Sequence, residues 1–381
     1  MRQENEQKAL KPVAVRVLIV AASMDILGGQ AVQAERLMRH LQKEPSVQVS
    51  FLAINPRLPG MLARLQAVKY VRTIVTSILY WLNLLHYVKQ HDVVHVFSAS
   101  YLSFLIAPTP AIIVSKFYRK KIVLNYHSGE AEDHLRRWPR STRPIIKLVD
   151  AVVVPSQYLV RVFAKFEIEA FAIFNVIDLD EFEFRERTPL RPVFLSNRNL
   201  EFHYGVDCLL RAFADIQQRM PNAILTVVGD GSQREALENL ARDLDLKNVT
   251  FTGRVNHSDI RSYYSAADIY LNASRIDNQP LSILEAFACG LPVVTTDAGG
   301  IPDIVTDGVT GSVVRVDDCK ELASRALSLL ADPAIAQPLI DRARAECARY
   351  TWDAVCKQWL ALYHSLSLGK TFNYEDLRVA G

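Results

Sequence analysis

Short Val- and Ile-rich runs alternate with amphipathic stretches along almost the whole chain, and no other feature restricts its fold as strongly. The runs include VAVRVLIVAAS, VVHVFSAS, KIVLNYHS and AVVVPS, then RPVFLSNR, AILTVVGDG, VTFTGRV, IYLNAS, PVVTTDAGG and GSVVRV. Strands buried on both faces read as continuous apolar runs, and helical spacing between them, as in AVQAERLMRHLQ, reads as crossovers. The expectation is an α/β protein with parallel, doubly wound sheets. A length of 381 residues accommodates two domains of roughly 150 residues each. The runs fall into two sets on either side of the polar, charged, proline-bearing stretch DLDEFEFRERTPLRP at 178–192. We therefore expect an N-terminal domain over 1–187, a second over 188–350 and a helical tail over 351–381 carrying Trp352, Trp359 and Tyr363. Two such domains facing across a cleft would bind ligand at the carboxyl ends of their strands.

Composition removes several function classes. Half of the residues are hydrophobic and 22% are charged, which excludes a disordered chain. Lys plus Arg number 44 against 41 Asp plus Glu, a net charge of +3 that carries no nucleic-acid signature. The mean hydropathy of +0.07 points to large buried sheets or a membrane-facing surface. The five cysteines, at 208, 289, 319, 347 and 356, are scattered and form no Cys-x-x-Cys pair. They argue against a disulfide framework or structural zinc and fit a reducing compartment, so a cytoplasmic location is expected. The polar start MRQENEQKALKP leads into a strand-length apolar run, which does not read as a signal peptide. The longest apolar stretch, Ile74–Val88, has fifteen residues including Asn83 and His86, short of the ~20 needed to span a bilayer.

The densest chemistry lies in DNQPLSILEAFACG, from Asp277 to Gly290. Two carboxylates, Asp277 and Glu285, stand eight residues apart across a proline turn and a helix start. Pro280, Leu281, Ser282 and Ile283 open that helix, and its first backbone N–H groups are suited to a phosphate. Glu285 on the first turns is within reach of ribose hydroxyls, whereas Leu284, Phe287 and Ala288 face the core. An ordinary capped helix is the plainer reading of the same residues.

Asp277-x7-Glu285 followed by Ala-x-Ala-Cys-Gly-Leu-Pro-Val-Val resembles the E-x7-E signature of retaining GT-B glycosyltransferases of family 4, the group 1 glycosyltransferases, with Asp in place of the first Glu. The resemblance covers most of the chain and is strongest from Val193 to about Asp332. It implies a GT-B architecture of two Rossmann-like domains, with the tail crossing back to the N-terminal domain. By the same resemblance, Asp277 binds the hexose hydroxyls of a nucleotide sugar and Glu285 the nucleotide ribose. Gly28 and Gly29 resemble the loop that closes on the donor diphosphate, where a missing Cβ admits close approach. Val228-Gly229-Asp230-Gly231 resembles the G-x-G turn beside the nucleotide, and Phe251-Thr252-Gly253-Arg254 the strand end that reads the base, which brings Gly229 and Arg254 into the donor set with Leu281 and Ser282.

The family pairs an Arg with a Lys on the donor phosphates in an R-x4-K-G pattern. Here Arg198 stands at the first position and its planar fork suits a diphosphate. No Lys precedes Gly205; Tyr204 occupies the place, with His203 before it and the spacing one residue longer. His127, in Asn125-Tyr126-His127-Ser128-Gly129-Glu130, resembles the family's histidine near the donor sugar. Glu130, Tyr204 and His203 are the acceptor-side candidates, and His95 within VVHVF is assigned to structure. The catalytic set is thus His127, Arg198, Asp277 and Glu285. The resemblance further implies retention by front-face substitution without an enzymic nucleophile, with the leaving diphosphate held by Arg198 and backbone amides. Asp317-Asp318 read as turn acids, so no metal and no cofactor beyond the UDP-, GDP- or ADP-hexose donor is expected.

From Arg57 to Lys121 nine basic residues accompany one acid, Asp92, with Tyr70, Tyr80, Trp81, Leu84, Leu85 and Tyr87 interleaved. Residues 61–88 read as an amphipathic helix pair able to lie on an anionic membrane, or as core helices with snorkelling cations. The reading overall is hexosyl transfer to a glycan or lipid-linked acceptor, peripheral on the inner membrane face, with no nucleic-acid partner. The alternatives are a degenerate, non-catalytic binding subunit and a nucleotide-sugar epimerase or phosphorylase on the same twin-domain fold; no pyridoxal-lysine motif supports a phosphorylase.

Overall fold

The computed structural model describes residues 14–23, 29–57, 69–98, 100–256 and 258–370. They form two parallel six-stranded sheets with helical crossovers, the α/β architecture expected from the buried runs. The first sheet contains β1 (Val15–Ala21), β2 (Val47–Ala53), β3 (Val93–Ser98), β4 (Lys121–Tyr126), β5 (Ala151–Val154) and β6 (Phe171–Ala172), in the order β2-β1-β3-β4-β5-β6. The second contains β7 (Val193–Asn197), β8 (Ile224–Val228), β9 (Val249–Gly253), β10 (Ile269–Leu271), β11 (Val293–Thr296) and β12 (Ser312–Val314), in the order β12-β11-β10-β7-β8-β9. That second order is the dinucleotide-fold arrangement, in which the strand sequence reverses between β7 and β10.

The described chain divides into two compact units. One comprises the residues up to Ser128, Asp133–Val153 and those from Cys356 onward; the other comprises Gly129–Glu132 and Val154–Val355. In the first unit every residue of β3 is buried. His95 in its middle has its Nδ1 2.7 Å from the Tyr363 hydroxyl, on the helix Trp352–Ser367. Phe97 stacks on the same imidazole, and Trp359 lies 4.9 Å from it. Burial pushes the His95 pKa down to about 3, so the ring is a neutral core group.

In the second unit, alternate residues of each strand feed opposite faces of the sheet. Phe194, Leu225, Ile269, Leu271 and Val294 pack with Leu209, Phe213 and Leu322 in one core. Leu195, Tyr270 and Val293 pack with Tyr264, Ile283, Phe287 and Tyr350 in the other. Ser156, directly after the run AVVVP, caps the helix Gln157–Ala164 by accepting from Leu159 N at 3.2 Å.

The stretch 178–192 is fastened to the second unit by arginines. Asp268, 1% exposed, accepts from Arg191 Nη2 at 2.8 Å and Nε at 3.0 Å, and also from Arg185. Arg187, fully buried, donates from Nε to the Ala267 carbonyl at 2.9 Å and from Nη2 to the Tyr264 carbonyl at 3.0 Å. Its Nη1 donates to the Cys289 carbonyl. Burial, opposed by Asp268, lowers the Arg187 pKa to about 10.

One expectation is corrected. Cys208 and Cys319 form a disulfide across 111 residues, joining the helices Val206–Arg219 and Cys319–Ala331. The absence of Cys-x-x-Cys spacing misled because the partners come from crossovers packed side by side, a proximity that local spacing does not encode.

Candidate active site

The residues that follow β7 and β10 emerge at the reversal of strand order, where crossovers leave toward opposite faces of the sheet. Arg198 directly follows β7, and Asp277 follows β10 by a six-residue step. They form an ion pair through Arg198 Nη2 and Asp277 Oδ2, with side chains 11% and 10% exposed. Arg198 Nη1 donates to Ser282 Oγ at 3.3 Å, and the Tyr204 ring centroid lies 4.1 Å from the guanidinium carbon. Burial works most strongly against the Arg198 charge, but Asp277 together with Tyr204, Tyr270 and Tyr264 outweighs it and holds the pKa above the ordinary range. Arg198 Nε is buried without a hydrogen-bond partner.

Asp277 is positioned by its own loop. Oδ1 accepts from Asn278 N at 2.8 Å and Oδ2 from Ser274 Oγ at 3.3 Å. Two glycines let the site loops close on their neighbours. A β-carbon at Gly229 would collide with the Arg198 carbonyl oxygen, and one at Gly299 with the Asp277 carbonyl oxygen; both glycines also have positive φ. Gly229 thus supports Arg198 from β8, adding a packing role to the one read from its motif.

The helix Leu281–Ala288 starts beside the pair with Pro280 at its N-cap and no side-chain cap. Leu281 is partly buried against the core, and Ser282 is the helix residue that meets Arg198. Glu285, 4% exposed, accepts from the Tyr264 hydroxyl at 2.8 Å. Tyr264 in turn accepts from Asn197 Nδ2 at 3.0 Å, so β7, the helix and Tyr264 fix the second carboxylate. Burial, reinforced by Glu285, raises the Tyr264 pKa well above its usual value.

Tyr204 and His203 belong to a 3-10 turn at Phe202–Tyr204. Their rings lie 4.2 Å apart. Burial lowers the His203 pKa against the pull of the Glu130 and Asp277 carboxylates, which places half-buried Glu130 in the same neighbourhood. The structure therefore brings together Arg198, Asp277, Ser282, Glu285, Tyr204, His203 and Glu130. Arg254 is set apart from them: it is 72% exposed and its Nε lies 3.7 Å from Asp230.

The remaining candidates lie in the first unit or outside the described residues. His127 is half-buried, with Phe97 stacked 5.0 Å away and burial pushing its pKa down to about 3. Gly29 opens the helix Gly29–Leu41, and Gly28 falls outside the described residues. Asp318 caps the helix Cys319–Ala331, accepting from Glu321 N at 3.0 Å. Among the described residues no cluster of His, Cys, Asp and Glu could hold a metal ion. Sequence reasoning did not single out Ser274, Tyr264 or Asn197; the polar pairs Ser196-Asn197 and Asn272-Ala273-Ser274 at the carboxyl ends of β7 and β10 were the signal available.

The helix Lys69–Tyr87 presents Ile74, Ile78, Trp81, Leu82 and Leu85 to solvent at helical spacing, while Tyr80 and Leu84 are buried. The helix Pro108–Phe117, which packs against it, adds exposed Ile113 and Phe117. Residues 61–68, the first eight of the expected helix pair, lie outside the described residues. No helix among the described residues is long and apolar enough to cross a membrane.

Two parallel six-stranded sheets with helical crossovers, the second in the Rossmann-type strand order, are the architecture of the GT-B class of two-domain α/β proteins. A family model described as Glycosyl transferases group 1 matches residues 180–346, and one described as Glycosyltransferase Family 4 matches 27–181. The chain belongs to the group 1 glycosyltransferases of GT-B fold. It is 36% identical over 159 residues to a GDP-mannose-dependent phosphatidylinositol monomannoside mannosyltransferase of Mycolicibacterium smegmatis, covering 39% of this chain and 42% of that protein. The chain thus spans less than half the length of that relative. It is 29% identical over 280 residues to the glycogen synthase of Mycobacterium tuberculosis, covering 68% of this chain and 67% of that protein. The Anabaena protein HepE, solved with UDP and glucose, superimposes with a TM-score of 0.70 at 19% identity, covering 92% of this chain and 99% of that one.

Proposed function

We propose that the protein transfers a hexose from a nucleotide sugar to a hydroxyl of a glycan or lipid-linked acceptor, with retention and without a metal. The observation that carries this reading is Arg198: a buried guanidinium with an unpartnered Nε, at the strand-order switch point and beside an uncapped helix start. A departing diphosphate would take the Nε donor and the helix amides, and would draw Arg198 charge away from Asp277. Asp277 would then be released to accept from hexose hydroxyls, and Glu285 would accept from the ribose. His127, neutral near pH 7, is assigned as a hydrogen-bonding group for the sugar rather than a cationic acid. Tyr204 replaces the expected second cation by backing Arg198 with an aromatic face, which leaves one arginine to meet the diphosphate.

Screening UDP-, GDP- and ADP-hexoses tests the donor assignment. The expected result is a rise in melting temperature, and slow sugar release, with one nucleotide. Glu285→Gln should lower kcat/KM with that donor by about 10- to 100-fold, the scale of one hydrogen bond to a charged group. Unchanged turnover removes Glu285 from the site.

The exposed apolar face of the helix Lys69–Tyr87, in a segment rich in Lys and Arg, supports an anionic membrane surface as the place where a lipid-linked acceptor is met. The protein is expected to float with phosphatidylglycerol vesicles and not with phosphatidylcholine vesicles, and Ile78→Asp to weaken flotation. A distribution indifferent to lipid ends that proposal.

A further inference from the structure

We propose that Arg275, which no motif singles out, is a positioning residue that locks the Asp277 loop and the Tyr204 turn into one rigid piece around Arg198. Arg275 stands two residues before Asp277 and its side chain is 16% exposed. Its guanidinium forks onto Asp207, with Nη1–Oδ1 and Nη2–Oδ2 each at 2.8 Å. Nε donates to Asp317 Oδ1 at 2.7 Å, and Nη1 also reaches the Phe202 carbonyl at 2.8 Å. The Phe202 ring lies under the guanidinium at 4.5 Å. The backbone adds to this: Arg275 N and Ile276 N both donate to the His203 carbonyl, at 2.8 and 3.2 Å.

Four donor directions are therefore used on three separate segments: the turn Phe202–Tyr204, the first turn of the helix Val206–Arg219 and the turn before the helix Cys319–Ala331. The two acids that receive Arg275 are themselves held together. Asp207 precedes Cys208 and Asp317 stands two residues before Cys319, and those cysteines form the disulfide. A planar fork can serve two carboxylates and a carbonyl at once, which a lysine ammonium on one flexible stem cannot. Both outputs of the clamp converge on Arg198, since Asp277 pairs with its charge and Tyr204 covers its face.

The kinetic arm of the test rests on the glycosyl-transfer reading, and the structural arm does not. Hydrogen–deuterium exchange on the full chain without nucleotide should show Arg275→Gln raising exchange at least tenfold in both 202–205 and 276–278, while β10 (Ile269–Leu271) stays protected. With UDP-glucose and GDP-mannose as probes, the variant should lose about 10- to 100-fold in kcat with KM changed less than threefold, because misplacement affects the reacting geometry more than uniform binding. Arg275→Lys should recover stability more than kcat. Asp317→Ala, which removes one partner and leaves the Asp207 fork, should give a smaller effect in the same direction and serves if Arg275→Gln fails to fold. Exchange unchanged in both segments, or a lowered melting temperature with kcat unchanged, overturns the proposal. If wild type turns over neither probe, the activity reading fails at these donors while the exchange arm still decides the clamp.

Discussion

Arg198→Ala is expected to lower kcat by about 10²- to 10³-fold, the loss seen when a preorganised donor to a developing anion is removed. Arg198 supplies the charge that a leaving diphosphate would need, and its Nε is already buried without a partner. The same substitution should also destabilise the protein by about 3–5 kcal/mol, because Asp277, 10% exposed, would be left as an uncompensated carboxylate. Stability loss and turnover loss can be separated. The double variant Arg198→Ala/Asp277→Asn removes the stranded charge and should regain much of the stability, with turnover still depressed. Arg198→Lys keeps the charge without the fork, and should recover stability more fully than kcat. Turnover at the wild-type rate in Arg198→Ala would remove this arginine from the donor site.

The second large effect is structural. Asp268→Asn should cost about 3–5 kcal/mol, since the carboxylate is fully buried and its removal leaves arginines gathered around an uncharged amide. The midpoint of thermal unfolding of the second unit should fall by about 10 °C. Burial alone would raise the Asp268 pKa, but hydrogen bonds from Arg191 and Arg185 outweigh it and hold it below the ordinary range. A carboxyl whose folded pKa is depressed stabilises above its unfolded value near ~3.9 and loses that contribution as pH falls toward the folded value. Urea titrations at pH 7 and below about 4 should therefore show the wild type losing its advantage over Asp268→Asn on acidification. A difference independent of pH would mean that Asp268 acts through its shape and not its charge.

The fold was legible where burial is complete. β3 and β11 read as apolar runs because both of their faces are covered. β2 was not singled out, for its residues alternate between buried, half-buried and exposed, and β6 has only two residues. The Arg198–Asp277 ion pair was legible through a different route. Arg198 and Asp277 lie 79 residues apart, and nothing local links them; a family signature suggested their shared roles and the strand order explains their meeting. Tyr204 read as the lack of a lysine, yet its contribution is the face it offers Arg198. Arg275 left no trace because its partners come from three segments, and a lone arginine before an isoleucine resembles any solvated loop cation.

The hydrogen bond between His95 and Tyr363 carries a consequence for how the protein is made. A chain emerging from the ribosome presents β1 to β5 first, yet a buried imidazole in the middle of their sheet waits for a hydroxyl encoded 268 residues later. All residues of the second sheet are synthesised in that interval. Domains usually mature in the order of synthesis, but here the unit that begins first is completed last. A stalled chain would hold a finished second sheet and a first one in which His95 still lacks Trp359 and Tyr363. Such a chain should bind a holdase chaperone at the first unit, and release it once synthesis resumes and supplies Trp359 and Tyr363.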